Sequence, residues 1–577
     1  MKQYFQQMPQ IGRPLKDREI ARSEQSVGAI REVEARVAAH VERVKHSGLS
    51  TEQINERGQM TGWQRIDYLV DEGTWCPLHT LYDPGQNEEG TTGVIDGIGK
   101  VGGRWAVVIA SDNKVLAGAW IKGQAENILR VTDLAKRLHV PLIWILNCSG
   151  VKLTEQHEVY PNRRGHGTPF FRHAELNQLG VPILVGIYGT NPAGGGYHGI
   201  SPTVLFAHKD CNIAVGGAGI VGGMSPKGGF DVEGAKQIIE AQQELRAKPP
   251  GTVEVHHGST GFFKHVYETE EGVLDGIREY MRHMPAFDPG FFRVAEPKEP
   301  LYPVAEIARI VPADQGKDYS VEQVIARLVD GSEHMEFRPG YGPDMYTGLV
   351  KVDGFLLGCI ANRQGFLGAG YPEYADYPGI GGKLYRQGLI KMSEFVTLCA
   401  RDRIPLLWLQ DTSGIDVGDD AERAELLGLG QALIYSIQQT ALPMMLVVLR
   451  KGTAAAHYVL GGPTANDNNA FSLGVPTTEI QVMHGETAAV AAFARRLAKE
   501  HKAGHDLGPV VDKMNELVEQ YRAHSTPDYS ALRGFVDEVV RFDDLRRYAV
   551  AFAGAVHQNP TSICPHHQML TPRVIRG

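Results

Sequence analysis

Two tandem α/β domains, the second a repeat of the first, are what this 577-residue sequence predicts. Three observations predict them: the length, a set of proline-led apolar strands that recur in one order, and helical stretches between those strands. Single hydrophobic cores stop growing near about 250 to 300 residues, so a chain of this length is expected to hold two large domains. With 42% hydrophobic and 22% charged residues, each has the composition to bury a full core.

The repeat is readable directly. VPLIWILNCSGVKL, Val140 to Leu153, matches IPLLWLQDTSGIDVG, which starts at Ile404. Each opens with a proline entering an unbroken apolar run and reads as a parallel strand buried on both faces. Each stops at a small polar turn, Cys148-Ser149-Gly150 or Thr412-Ser413-Gly414. A second pair follows, VPILVGIYGTNPAGGGYH from Val181 and LPMMLVVLRKGTAAAHYV from Leu442, again a strand running into tiny residues. An earlier, weaker pair is GGRWAVVIASDNK from Gly102 and DGFLLGCIANRQG from Asp353.

Between the strands the patterns predict helices over Ala125 to Leu138, Leu389 to Arg401 and Ala421 to Gln439. Alternating strand and helix implies right-handed βαβ units and helix-flanked, mostly parallel sheets. The proline-rich stretch from Pro285 to Pro343 is the natural connector. The domains are therefore expected over residues 1–310 and 311–577.

Net charge is −9 and no long basic run appears, which excludes a nucleic-acid footprint of clustered Lys and Arg. The opening MKQYFQQMPQ has no apolar stretch, and the longest aliphatic run, Leu442 to Leu449, is far below the roughly 20 residues of a spanning helix. A cytoplasmic chain is the expectation. Six cysteines, Cys76, Cys148, Cys211, Cys359, Cys399 and Cys564, lie far apart and read as free thiols.

The 67 glycines exceed the usual share of roughly 7% and gather in clusters, which is where backbone geometry matters. A rigid backbone N–H stabilises a developing oxyanion without reorganising. The turn Ser149-Gly150-Val151 and the run Gly194-Gly195-Gly196 can each supply one such donor if their strands are neighbours. In the second half the equivalents are Gly414-Ile415 and Ala454-Ala455-Ala456, where alanine keeps the N–H and adds only a methyl.

At these residues the chain resembles the biotin-dependent acyl-CoA carboxyltransferases. The lead-in RGQMTGWQRIDYLVDEGTW, its second-half counterpart YSVEQVIARLVDGSEHMEFRPGYG, and SEFVTLCARDRIPLLWLQDTSGIDVG are similar to that family's segments. NCSGVKLTEQHEVYPNRRGHGTPFF, NPAGGGYHGISPT, GGAGIVGGMSPKGG and LRKGTAAAHYVLGGPTANDNNAFSLG resemble its sodium-pumping, decarboxylating branch. The resemblance implies two crotonase-like, ββα-spiral domains related by duplication. It implies a CoA thioester as substrate on the first domain, and on the second biotin carried by a separate carrier subunit, with no metal. It further implies transfer of the γ-carboxyl of glutaconyl-CoA to biotin, a membrane-embedded carboxybiotin decarboxylase subunit as partner, and a homodimer or higher even oligomer with shared active sites. Peripheral association with the membrane would follow from those partners.

Carried over, the first oxyanion hole falls on the N–H groups of Val151 and Gly195, with Gly196 adjacent, and is flanked by Gly150 and Gly194. The second falls on Ile415 and Ala455, with Ala456 adjacent, flanked by Gly414 and Ala454. Arg163 and Arg164 either grip the substrate carboxylate or CoA, or form a surface ion-pairing loop.

Other patterns carry less. GAGIVG, Gly217 to Gly222, fits a dinucleotide fingerprint, but the Met-Ser-Pro-Lys-Gly-Gly after it cannot open a long helix. His256-His257 and His566-His567 lack the spacing of a zinc helix. A carboxylating relative acting on methylcrotonyl-CoA is the alternative within the family. A crotonase-like hydratase is a further one, disfavoured because no Glu lies within three residues of Val151 or Gly195.

Overall fold

Strand β1 (Cys76–Leu78) pairs antiparallel with β2 (Val94–Val101), which turns straight back into β3 (Arg104–Ser111). The computed structural model to which they belong describes residues 8–159, 163–199, 203–217, 231–284, 290–367, 379–462 and 466–559. The turn, Gly102-Gly103, has φ of 60° and 84°, the doubly positive pair whose twist matches a two-residue hairpin.

From β3 the pairing becomes parallel through β4 (Leu142–Leu146), β5 (Ile183–Ile187), β7 (Val204–His208) and β9 (His265–Tyr267). The short strands β6 (Thr190–Pro192) and β8 (Asn212–Ala214) form a separate parallel ladder.

The second half repeats this plan. Strands β10 (His334–Glu336), β11 (Met345–Val352) and β12 (Phe355–Asn362) are antiparallel, and Asp353-Gly354 closes the hairpin with φ of 52° and 75°. A two-stranded ladder joins β13 (Lys383–Leu384) to β15 (Gly414–Ile415). Parallel pairing then adds β14 (Leu406–Thr412), β16 (Met444–Thr453), β17 (Asn469–Gly474) and β19 (Glu538–Val539) to β12, with β18 (Glu479–Gln481) on the end of β16.

A further repeat appears only in three dimensions. The Asp71 carboxylate accepts both hairpin N–H groups, Gly102 at 3.1 Å and Gly103 at 2.7 Å. Asp330 does the same for Asp353 at 3.0 Å and Gly354 at 2.7 Å. Both aspartates belong to the two lead-in segments, which are thereby fixed to the sheets they precede.

The helices Gln124–Leu138 and Arg386–Asp402 fall where the pattern predicts, as the crossovers into β4 and β14. The third differs. It breaks into Asp419–Arg423 and Leu426–Thr440, because Glu425 takes a left-handed φ of 62° that no continuous helix accommodates.

Contacts divide the chain into two compact units, His40–Phe287 and Met1–Ala39 with Asp288–Gly577. In the first, Ile143 and Ile145 of β4 pack with Val108, Leu184 and the Val273, Leu274 and Ile277 face of helix Glu270–His283. Trp144 points to the opposite face, so the strand is covered on both sides, as its unbroken apolar run requires. The lead-in is anchored there by Arg65, which forks onto Glu270 at 2.8 and 2.9 Å and lies 4.0 Å over the Tyr188 ring.

Candidate active site: paired strand ends and runs of small residues

The first site grows from the ends of β4 and β5. After β4 the chain passes Asn147-Cys148-Ser149 and reaches Gly150 with φ of 102°, a conformation glycine alone adopts freely. There Trp120 donates its N–H to the Gly150 carbonyl at 2.7 Å, and Lys152 donates to the Trp120 carbonyl at 3.0 Å. In such a parallel bridge the neighbours of Val151 make both bonds, so the Val151 N–H points away from Trp120.

After β5 and β6 the chain reaches Ala193, with φ 48° and ψ −127°, and turns into the helix Gly194–Tyr197. Tyr197 donates to the Ala193 carbonyl at 3.2 Å, which makes Gly194, Gly195 and Gly196 the first-turn residues whose N–H groups lack an intrahelical acceptor.

The two strand ends touch. A Cβ at Gly195 would lie 2.5 Å from the Cys148 carbonyl oxygen, and one at Gly194 would enter the Trp120 ring. Glycine is therefore required by close approach. The Cys148 N–H donates to Asn191 Oδ1 at 2.8 Å, clamping one turn to the other. The Val151 and Gly195 stretches, read separately in the sequence, are thus brought side by side.

The second site repeats the arrangement. Gly414 has φ of 130°, and Asp416 donates to the Leu384 carbonyl at 3.1 Å, so the bridge Leu384↔Ile415 leaves the Ile415 N–H pointing away from Leu384. At the end of β16, Ala454 has φ of 51° and opens the helix Ala454–Val459. Ala193 and Ala454 hold equivalent places, which aligns Gly194 with Ala455 and Gly195 with Ala456. Gln410 of β14 bonds the ring of His457 at 2.7 Å and tethers that helix to the neighbouring strand.

Around the first site the buried thiol and imidazoles are held in their neutral forms. Burial pushes the Cys148 thiol up to about 12 and the His166 and His173 imidazoles down to about 4, and it holds His198 well below its ordinary value. Trp120 stacks on His166 at 4.3 Å and meets His198 edge-on at 5.1 Å. Lys152, next to Val151, bonds Glu155 at 2.9 Å and Glu89 at 3.4 Å, and Lys152 holds the Glu155 carboxyl below its usual range. What the geometry offers is backbone donors on half-buried turns beside a buried aromatic cluster, which suits stabilising an oxyanion.

The carboxyl transferase domain matches residues 53–570. This chain belongs to the carboxyl transferase family. It is 56% identical to glutaconyl-CoA decarboxylase subunit alpha of Acidaminococcus fermentans, over 100% of this chain and 98% of that protein. It is 28% identical to the biotin-dependent 3-methylcrotonyl-coenzyme A carboxylase beta1 subunit of Mycobacterium tuberculosis, over 85% of this chain and 87% of that one. The geranyl-CoA carboxylase beta subunit of P. aeruginosa shares the fold, with a TM-score of 0.75 at 22% identity over 96% of this chain and 98% of that chain. The tandem crotonase-like architecture is that of the carboxyl transferases.

Other sequence readings meet the carboxyl transferase structure unevenly. Arg164 forks onto Glu126, with one bond at 3.0 Å, and so serves an ion pair. Arg163 is exposed, and its carbonyl accepts from Thr168 at 2.7 Å. His256 and His257 are hydrogen-bonded histidines, each 2.8 Å from a main-chain carbonyl. The five described cysteines are buried, and no disulfide joins them. Most of GAGIVG, together with Tyr160 to Asn162, Cys564, His566 and His567, lies outside the described residues.

The sequence reading missed Trp120 and Ala193, which act through main-chain geometry and leave no side-chain motif, and Asn191, whose side-chain amide clamps the two turns. It also missed Asp411 and Arg450, which did leave a signal: charges of opposite sign at the end of the apolar runs of two strands.

Proposed function

We propose that this chain moves the γ-carboxyl of glutaconyl-CoA to biotin carried on a partner subunit, leaving crotonyl-CoA, as the carboxyltransferase of a sodium-translocating decarboxylase. The observation that carries this reading is identity of 56% to glutaconyl-CoA decarboxylase subunit alpha across the full chain. The duplicated donor geometry supports the mechanism.

In this mechanism the β1–β9 sheet is the acyl-CoA side. When the γ-carboxyl leaves, the electron pair delocalises as a dienolate to the thioester oxygen, where the N–H groups of Val151 and Gly195 hold its charge, with Gly196 adjacent. Gly150 and Gly194 flank the thioester, Gly194 seated close against the Trp120 ring, and Arg163 is the exposed arm that can meet its carboxylate. Each donor is expected to contribute roughly 3 to 4 kcal/mol to the rate-limiting barrier.

The β10–β19 sheet is the biotin side. Biotin would supply the ureido nitrogen that takes up the carboxyl group, and the proton that nitrogen gives up balances the one the dienolate gains at its γ-carbon to become crotonyl-CoA. Support for this reading comes from Gly414, where a methyl would meet no atom of the described residues within 4 Å, which leaves space beside the Ile415 donor. Ile415 and the Ala455 or Ala456 N–H are positioned to hold the charge that builds on the ureido oxygen, and Ala454 orients that run. Among the described residues no helix is long and apolar enough to cross a membrane, which fits docking of a biotin-carrier subunit and a membrane-embedded decarboxylase subunit onto an even-numbered assembly.

The test is direct. Purified protein mixed with glutaconyl-CoA and free biotin should form crotonyl-CoA in a biotin-dependent manner without ATP. Crotonyl-CoA formation that ignores biotin, or that requires ATP, would overturn the reading.

A further inference from the structure

Strands β14 and β16 are apolar except near their ends, where LLWLQDT carries Asp411 and MMLVVLRKGT carries Arg450. Both side chains are buried, at 1% exposure. Arg450 Nε donates to Asp411 Oδ2 at 2.7 Å, and Asp411 Oδ1 accepts the Lys451 N–H at 3.2 Å. The Asp411 N–H in turn donates to Asn362 Oδ1 at 3.0 Å. Arg450 also donates to the carbonyls of Lys317 at 2.6 Å and Asp314 at 3.2 Å, and its guanidinium lies 4.9 Å over the Tyr319 ring.

This cluster sits where the ladder lapses. Gln410 pairs with Val448 and Thr412 with Gly452, so the register shifts across Asp411 and the regular main-chain bonds are interrupted there. The carboxylate supplies the missing link between the strands by taking the Lys451 N–H. Ile415 follows Asp411 by four residues, and Ala455 follows Lys451 by four, so the two donor stretches diverge from this point.

In the first half the same junction is held without charge. Asn147 stands where the repeat has Asp411, and the cross-strand bond is that of the Cys148 N–H to Asn191 Oδ1, at 2.8 Å. Stability alone does not call for a buried ion pair, since well-packed apolar side chains commonly replace one without loss.

We propose that Asp411 and Arg450 are positioning residues of the second site. They hold the Ile415 N–H and the Ala455–Ala456 N–H groups in register across the irregular stretch of ladder. The proposal rests on the function argued above for that site.

The double variant Asp411→Leu with Arg450→Met tests it, because it removes the link and leaves no unpaired buried charge. Its melting temperature and its KM for glutaconyl-CoA should match those of the unaltered chain. Its kcat for transfer to free biotin should fall on the order of 10²-fold, the effect of roughly 1 Å of misplacement. Asp411→Asn combined with Arg450→Met keeps an Oδ1 acceptor for Lys451, again leaves no unpaired buried charge, and should recover most of that loss.

Wild-type kcat in the double variant would overturn the proposal. So would a fall in kcat accompanied by an equal loss of thioester affinity and melting temperature, or an Asn variant no better than the double variant. The unaltered chain is the control: its failure to transfer to biotin would strike the parent function, whereas an active control with an unaffected double variant would strike only the positioning role.

Discussion

Ala193 and Ala454 stand at the same point of the two halves and share a left-handed backbone, with φ of 48° and 51°. Non-glycine residues held there store about 1 to 3 kcal/mol of strain. Replacing either with glycine should relieve it and raise stability by about 1 kcal/mol, after the entropy glycine adds to the unfolded chain is subtracted. Thermal unfolding checks this, and a lowered melting temperature in Ala193→Gly would show that the strain is not there. Valine at either position should destabilise.

Substitutions along the alanine run separate backbone donors from side chains. Glycine at Ala455 or Ala456 keeps the N–H and should cost little. Proline removes it at a first-turn position where the helix has no use for it, and at the true donor should lower transfer to biotin on the order of 10²- to 10³-fold. CoA-thioester binding and thermal stability should hold. Tolerance of proline at both positions would move the second hole elsewhere.

The first site is tighter than the second. Gly195→Ala places a methyl 2.5 Å from the Cys148 carbonyl, which is main chain and cannot swing aside. The two turns must separate, and kcat for decarboxylation should drop at least about 10²-fold. Ala456, its counterpart, already carries a methyl and is buried, so Ala456→Gly should be nearly silent. Steady-state rates of the two variants side by side decide the matter; equal effects would contradict the asymmetry.

Acid should destabilise the fold through its buried histidines. His166, His173 and His457 are held at about 4 by burial, below the ordinary 6.5. A lowered folded pKa means the unfolded chain binds protons first. The stability is fully present above about pH 6.5 and is lost as pH falls through 4, by up to about 3 kcal/mol per group. Neither ring nitrogen of His173 has a hydrogen-bond partner among the described residues. His173→Leu should therefore flatten the fall in melting temperature between pH 7 and 4, and an unchanged slope would refute the assignment.

On the proposed mechanism each half carries one hole, and transfer needs both. A two-fold assembly can supply the second from a partner copy. Mixing a Gly195→Ala chain with whichever of the Ala455→Pro and Ala456→Pro chains loses transfer should then restore a measurable part of the activity, and no recovery after proven subunit exchange would count against shared sites.

The sequence by itself determined the duplication, the buried strands, the crossovers and the small-residue runs. These are local patterns: VPLIWIL is a two-faced buried strand whatever surrounds it, and a Gly-Gly or Asp-Gly pair between apolar runs is a hairpin turn. Only the tertiary structure decided which N–H groups are available. Val151 and Ile415 are turned outward by partners 31 residues upstream, Trp120 and Leu384, and no local pattern encodes the direction of a bond made to a distant carbonyl.

The same holds for the left-handed alanines. Ala193 and Ala454 are ordinary by propensity, and their backbone is imposed by strands fixed on either side. Glu425 breaks a helix that its periodicity continues, because the chain must turn there. Asp411 and Arg450 show the boundary most plainly. Charges of opposite sign at the ends of two apolar runs are visible in the sequence, but Asp411 and Arg450 become one link only when the sheet places β14 beside β16, since a buried charge is tolerable only where its partner is also delivered.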